Sequence, residues 1–348
     1  MSVLADRVVA QGLAAREADT LAVLRSWTVQ DSPPGAAATA IAARAEEVTL
    51  EEALADRSAV ALYNPRTATA ILPAGEAPAF ATALLPEGDV QLKAVLGQAL
   101  PEHDDAGLAA AVDGAVDAVS TALDGRELSR DDLHEELRSL LPEAMLPWCE
   151  GCGSHHARRG LLVLAGLRGR LCIAGRAGRQ PRFARTDQWT GWDPPAREEA
   201  GAELARRFRG AYPHSGTAEL AAWAGIAKGH AEELWRLGGE ATPTRSRRTA
   251  RGVRLLAAGD PLLLARDRDV LVPDKELRMR IFRPTGSPGV VLADGELAGL
   301  WRARKKGRRL EVEVEALGPL DRGAVQAEAE RLAPLRGCTS VAVGSARS

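Results

Sequence analysis

The sequence predicts an α+β protein in which three tandem helix–hairpin units precede a small β-rich C-terminal domain. Three observations predict it. Helical periodicity and strand-like alternation take turns along the chain, and the order of helices followed by a hairpin recurs. A length of 348 residues suits several compact units better than one core. Charge is also segregated: residues 1–150 carry 25 Asp/Glu against 10 Lys/Arg, whereas residues 151–348 carry 35 Lys/Arg against 22 Asp/Glu, within a net charge of only −2.

The first unit is expected over residues 1–107. Leu, Val and Ala at helical spacing predict helices over 3–15 and 18–28. The turn Ser32-Pro33-Pro34-Gly35 opens an Ala-rich helix over 36–45, and Thr49 followed by Glu51 and Glu52 caps one running to about Ala55. Strands at 60–62 and 67–72 flank Asn64-Pro65, which completes the order of a winged helix.

The second unit, 108–193, repeats it. A helix over 108–123 stops at Asp124-Gly125, and Ser129 caps another that ends at Pro142. A third helix spans 161–167, and strands at 171–174 and 182–185 enclose an Arg-rich tip. After Asp193-Pro194-Pro195 comes a third unit, 194–253, with a helix over 198–209 and then helix, Gly225 turn, helix over 216–237. Trp223 and Trp235 read as core anchors there. From 254 to 348 the pattern becomes a meander about Asp294-Gly295 and Gly307, closed by a helix over 322–333.

The opening residues lack a basic-then-apolar leader, and no apolar run approaches the ~20 residues of a membrane span. A soluble cytoplasmic monomer with no membrane partner is expected. Four cysteines in this length do not make a disulfide framework.

The basic residues are grouped. Eight Arg and no acid lie between 157 and 186, including Arg158, Arg159, Arg176 and Arg179. A second acid-free group holds Arg245, Arg247 and Arg248, and a third holds Lys305 and Lys306. Each sits near an expected hairpin or helix end, where it serves either as solubilising surface or as a set of phosphate contacts. Such contacts position a duplex without reading its sequence.

The second half holds the strings Arg254-Leu-Leu-Ala-Ala-Gly-Asp260-Pro261, Arg266-Asp267-Arg268, Leu271-Val-Pro273, Pro288-Gly289 through Asp294-Gly295, and Trp301-Arg302. The first half holds Gln30-Asp31, Ala53 to Ser58, Arg66 and Ile71-Leu72-Pro73. Together these strings resemble the bacterial AlkZ-like winged-helix DNA glycosylases. The resemblance runs in order along nearly the whole chain. It implies tandem winged helices and a β-rich domain curled around double-stranded DNA, and hydrolysis of the N-glycosidic bond of bulky or cross-linking alkylated purines. It also implies DNA repair or self-resistance to a genotoxin. The family's water-positioning motif, Gln-x-Gln or Gln-x-Asp, falls on Thr28-Val29-Gln30, which keeps the second Gln and has Thr in the first place. A His common downstream falls on Ala70.

An N7-alkylated guanine is already cationic, so it leaves without a strong general acid. The enzyme needs mainly to place a water behind C1′ and to stabilise oxocarbenium character. The amide oxygen of Gln30 can accept from that water, and the Thr28 hydroxyl can donate or accept at shorter reach. Asp31 is either a substitute carboxylate or the cap of the following helix. Gln30 has an alternative as a buried amide tying helix to loop, and Arg66 either contacts a DNA phosphate or pairs with an acid such as Asp56.

Cys149-x-x-Cys152 followed by His155-His156 has the spacing of a zinc knuckle, with Cys149, Cys152 and His156 as candidate ligands. A complete tetrahedral set is not in sight, and buried thiols in a loop are the other reading. No cofactor is expected beyond that possible zinc. Two functions stand: a DNA glycosylase using Gln30 and Thr28, or a non-catalytic DNA-binding protein such as a regulator or lesion-binding factor.

Overall fold

A computed structural model describes residues 2–96, 105–151, 153–178, 180–239 and 249–345. The chain is α+β with open sheets, and it forms two compact units. The first gathers Met1–Leu50, Arg207–Ser215 and Ala241–Ser348; the second gathers Glu51–Arg206 and Gly216–Glu240.

The first unit is built on a sheet ordered Ser340–Ser345, Arg309–Ala316, Glu296–Lys306, Gly289–Ala293, Val253–Leu256. Period-two alternation gives that sheet two apolar faces. Leu256, Val290, Leu292 and Leu300 meet Leu4, Val8 and Leu13 from the N-terminal segment. Leu255, Val291, Trp301, Leu310 and Val312 meet Val325, Ala329 and Leu332 of the helix Arg322–Leu335. That helix joins two parallel neighbours, Arg309–Ala316 and Ser340–Ser345, as a parallel pair requires. The meander and its closing helix are where the sequence puts them. Strands Val253–Leu256 and Ser340–Ser345 were not foreseen, because only their sheet partners make them strands.

In the second unit the strand Ala59–Tyr63 lies between Thr69–Pro73 and Cys172–Ala177, followed by Gln180–Ala184 and Leu128–Ser129. The two expected hairpins therefore join edge to edge, with Ala61 opposite Ile173. Helix Arg159–Leu167 is apolar on every side because it is buried on every side from Gly160 onward. Ser129 caps helix Arg130–Leu140 as expected, its hydroxyl accepting from the Asp132 amide at 3.2 Å. Helices Thr217–Ala224 and Lys228–Leu237 flank Gly225, whose φ of 74° turns the chain. Residue 225 also needs to be glycine because a Cβ there would come within 2.3 Å of the Arg66 side chain. Among the described residues no helix is long and apolar enough to cross a membrane.

Candidate active site and nucleic-acid contacts

The helix expected over residues 18–28 spans only Thr20–Ser26, so the triplet is not helical. Asp19 caps it, accepting from the Ala22 amide at 2.9 Å. Trp27 then turns extended and is buried, with its ring 6.3 Å from Phe208 and 5.7 Å from Tyr212. The Tyr212 hydroxyl donates to the Pro261 carbonyl at 2.7 Å, and complete burial pushes its phenol well above the ordinary range. This aromatic packing overrides the helical pattern and puts Val29–Gln30 in a short strand.

Alternation along that strand separates its side chains. Val29 faces a cavity of about 10 Å³ shared with Gln11, Glu17, Trp27 and Arg44, room for about one water. Thr28 is half-buried and Gln30 9% exposed, and neither lines that cavity. Among the described residues nothing hydrogen-bonds the Gln30 side chain. Asp31 holds the start of helix Ala36–Ala42: one carboxylate oxygen accepts from the Gly35 amide at 2.6 Å and the Ala37 amide at 3.3 Å. Ala70 lies in strand Thr69–Pro73 of the second unit.

Beyond that helix stands a buried ion pair that sequence reasoning missed. Arg44 makes two bonds of 2.8 Å to the Asp260 carboxylate, and donates to the Gln11 carbonyl at 2.8 Å and the Ala40 carbonyl at 2.9 Å. Asp260 also accepts from the Leu262 amide at 2.9 Å. Gly259 brings this loop against the residue after Asp31; a Cβ there would lie 2.5 Å from the Ser32 carbonyl oxygen. Asp260-Pro261 in the resemblance strings was the available signal; nothing marked Arg44 as its partner.

The basic groups divide once acids from elsewhere in the chain are brought in. Arg168 pairs with Asp113 at 2.6 Å, Arg170 with Asp187 at 2.5 Å, Arg182 with Glu127 at 3.2 Å, and Arg185 with Asp124 at 2.8 Å. Arg158 and Arg159 have no carboxylate partner among the described residues, and Arg159 and Arg176 are exposed. Arg66 is half-buried and donates to the Trp223 carbonyl at 3.2 Å. In the first unit, Lys305 and Lys306 lie on an exposed hairpin end with Lys306 opposite Arg309. Lys305 donates to the Arg336 carbonyl at 3.0 Å. Arg179, Arg245, Arg247, Arg248 and Cys152 lie outside the described residues.

The cysteine stretch is a small hairpin pairing Trp148 with His155 and Cys149 with Ser154. Nδ1 of His155 lies 2.8 Å from the Leu146 carbonyl oxygen, and Nδ1 of His156 lies 2.9 Å from that of Ala157. The His156 ring stacks on His134 at 4.6 Å. Burial, and then the charges of His156 and Arg130, push His134 down to about 4. Among the described residues no group of three or more His, Cys, Asp or Glu could hold a metal ion.

The sequence profile of the DNA glycosylase AlkZ-like family matches residues 23–335. A comparison with the curated proteins finds no match. Among solved structures, Streptomyces sahachiroi DNA glycosylase AlkZ superposes with a TM-score of 0.71 at 21% identity, covering 99% of this chain and 98% of that one. At that identity the likeness is one of fold.

Proposed function

Because this chain belongs to the DNA glycosylase AlkZ-like family, we propose that it hydrolyses the N-glycosidic bond of bulky or cross-linking N7-alkylated purines in duplex DNA. The observation that carries the chemistry is Gln30: a nearly buried amide, fixed on a strand, with no partner of its own among the described residues. Its carbonyl orients the attacking water while the Thr28 hydroxyl, on the same side of the strand, supplies a second hydrogen bond. A cationic purine leaves readily, so placing the water and stabilising the oxocarbenium-like sugar are the work left to the protein. Asp31 acts through the helix it caps.

In the same reading, residues 1–107, 108–193 and 194–253 are winged helices, residues 254–348 are the β-rich domain, and the monomer holds duplex DNA. Arg158, Arg159, Arg176, Arg179, Arg245, Arg247, Arg248, Lys305 and Lys306 contact phosphates. Arg66, tied to the Trp223 carbonyl, positions the turn between the two hairpin strands. Thr28 in place of the family's first Gln supports a second reading, a non-catalytic lesion-binding protein.

One assay separates the two. Duplex DNA with N7-methylguanine or a bulkier N7 adduct is incubated with the protein, and abasic sites are counted. Base release is expected from the wild-type chain, falling about 10²–10⁴-fold in Gln30→Ala while duplex affinity holds. Should neither the wild type nor Thr28→Gln release base above background, the non-catalytic reading replaces the enzymatic one.

A further inference from the structure

Gln11 follows the helix Val3–Ala10 and is 3% exposed. Its amide nitrogen donates to the Ala211 carbonyl at 3.1 Å, which fixes the other end of that amide as the oxygen. This Oε1 is sealed from solvent and has no hydrogen-bond partner among the described residues. Arg44 lies against the same residue, its Nε donating to the Gln11 backbone carbonyl at 2.8 Å. A guanidinium carries five N–H groups; those of Arg44 reach Gln11, Ala40 and, twice, Asp260, which leaves one on Nη2. Glu17 is joined to Arg44 through its backbone amide, which donates to the Arg44 carbonyl at 2.7 Å. The half-buried Glu17 carboxylate has no hydrogen bond or ion pair among the described residues. All three residues line the cavity of about 10 Å³ whose wall includes Val29, the neighbour of Gln30.

We propose that one water is an integral part of this cavity, accepting from the remaining Arg44 N–H and donating to Gln11 Oε1 and the Glu17 carboxylate. Through it, Gln11 and Glu17 are positioning residues for the strand Val29–Gln30. A sealed acceptor without a donor is costly, so Gln11 Oε1 calls for a partner. The volume has room for about one water and for nothing larger. The Arg44 guanidinium disfavours a cation there, and the Glu17 carboxylate disfavours an anion. Water is neutral and both gives and accepts, and about three bonds are usual for a buried one. The positioning role rests on the reading of Gln30 as the residue that orients the attacking water; the water site does not.

A crystal structure of the full chain at a resolution that orders solvent is expected to show one peak about 2.7–3.2 Å from Gln11 Oε1, Arg44 Nη2 and a Glu17 carboxylate oxygen. No peak there, or one out of reach of Gln11 Oε1, overturns the site. Glu17→Leu removes an acceptor with no other bond among the described residues, and Glu17→Gln keeps one. The NMR signal of the Gln30 side-chain amide, assigned by its loss in Gln30→Ala, is expected to shift in Glu17→Leu and to return in Glu17→Gln. A signal that stays in place overturns the positioning role. Single-turnover base release from an N7-methylguanine duplex, well below the melting temperature, is expected to fall about 10-fold in Glu17→Leu at unchanged duplex affinity and to recover in Glu17→Gln. A Glu17→Leu chain that melts earlier but keeps the wild-type rate also overturns the positioning role. Should the wild type release no base, the glycosylase reading fails, while the solvent peak and the Gln30 signal still decide this proposal.

Discussion

Asp31 and Asp260 show how little a carboxylate's sequence neighbourhood says about its work. Asp31 stands one residue beyond a candidate catalytic Gln, yet its Oδ1 is engaged by the backbone amides of Gly35 and Ala37. Replacing it by Ala should cost about 1 kcal/mol in urea unfolding, as for other helix caps. Asp31→Asn, which keeps an acceptor oxygen, should retain most base release; a loss as deep as that of Gln30→Ala would make Asp31 a participant in the reaction. Asp260 and Arg44 are both nearly sealed, with side chains 0% and 4% exposed. Removing one partner strands a buried charge, so Asp260→Ala should destabilise the protein by about 3–5 kcal/mol. A melting curve unchanged from wild type would refute that.

At the scale of elements, what could be read locally was read well. Gly225 between two helical patterns and Gly307 between two alternating ones are signals that neighbouring residues carry. The helix expected to end at Thr28 stops at Ser26 instead: Thr28 follows Leu and Val at helical spacing, while the burial of Trp27 against Phe208 and Tyr212 depends on residues some 180 positions away. Four arginines of 157–186 have acid partners that the run itself does not contain: Arg168 and Arg182 pair with acids far back in the chain, and Arg170 and Arg185 share Asp187 just beyond it. The hairpin at Cys149 presents a different case. Its His156 stacks on His134 of the helix Arg130–Leu140, with Arg130, Asp131 and Arg138 as the other charges acting there. An unfolded His takes up a proton below about 6.5, whereas folded His134 stays neutral to about 4. Its contribution is therefore fully present above pH 6.5 and lost as pH falls toward 4, by roughly 3 kcal/mol at most. Denaturation of His134→Phe should lose less stability than wild type over that window; parallel losses would count against this account.

For the whole molecule, folding redistributes the charge that the sequence segregates. The first unit holds 27 Lys/Arg against 19 Asp/Glu, and the second holds 18 against 28. The second is acidic in sum although it contains the densest run of arginines, so the positive charge it carries is local. The hairpin end at Lys305 and Lys306 belongs to the positive unit. Lys305→Ala with Lys306→Ala should flatten the salt dependence of duplex binding by about two contacts' worth, with little change in melting temperature. An unchanged slope would remove that hairpin from the interface. The first unit has one more consequence, for synthesis. Leu4, Val8 and Leu13 bury themselves against Leu256, Val290, Leu292 and Leu300, from the far end of the chain. A ribosome adding roughly 5–20 residues per second needs on the order of 10–60 s to make those partners. Throughout that interval the N-terminal segment is a hydrophobic surface without its mate, and trigger-type chaperones should find it on the nascent chain.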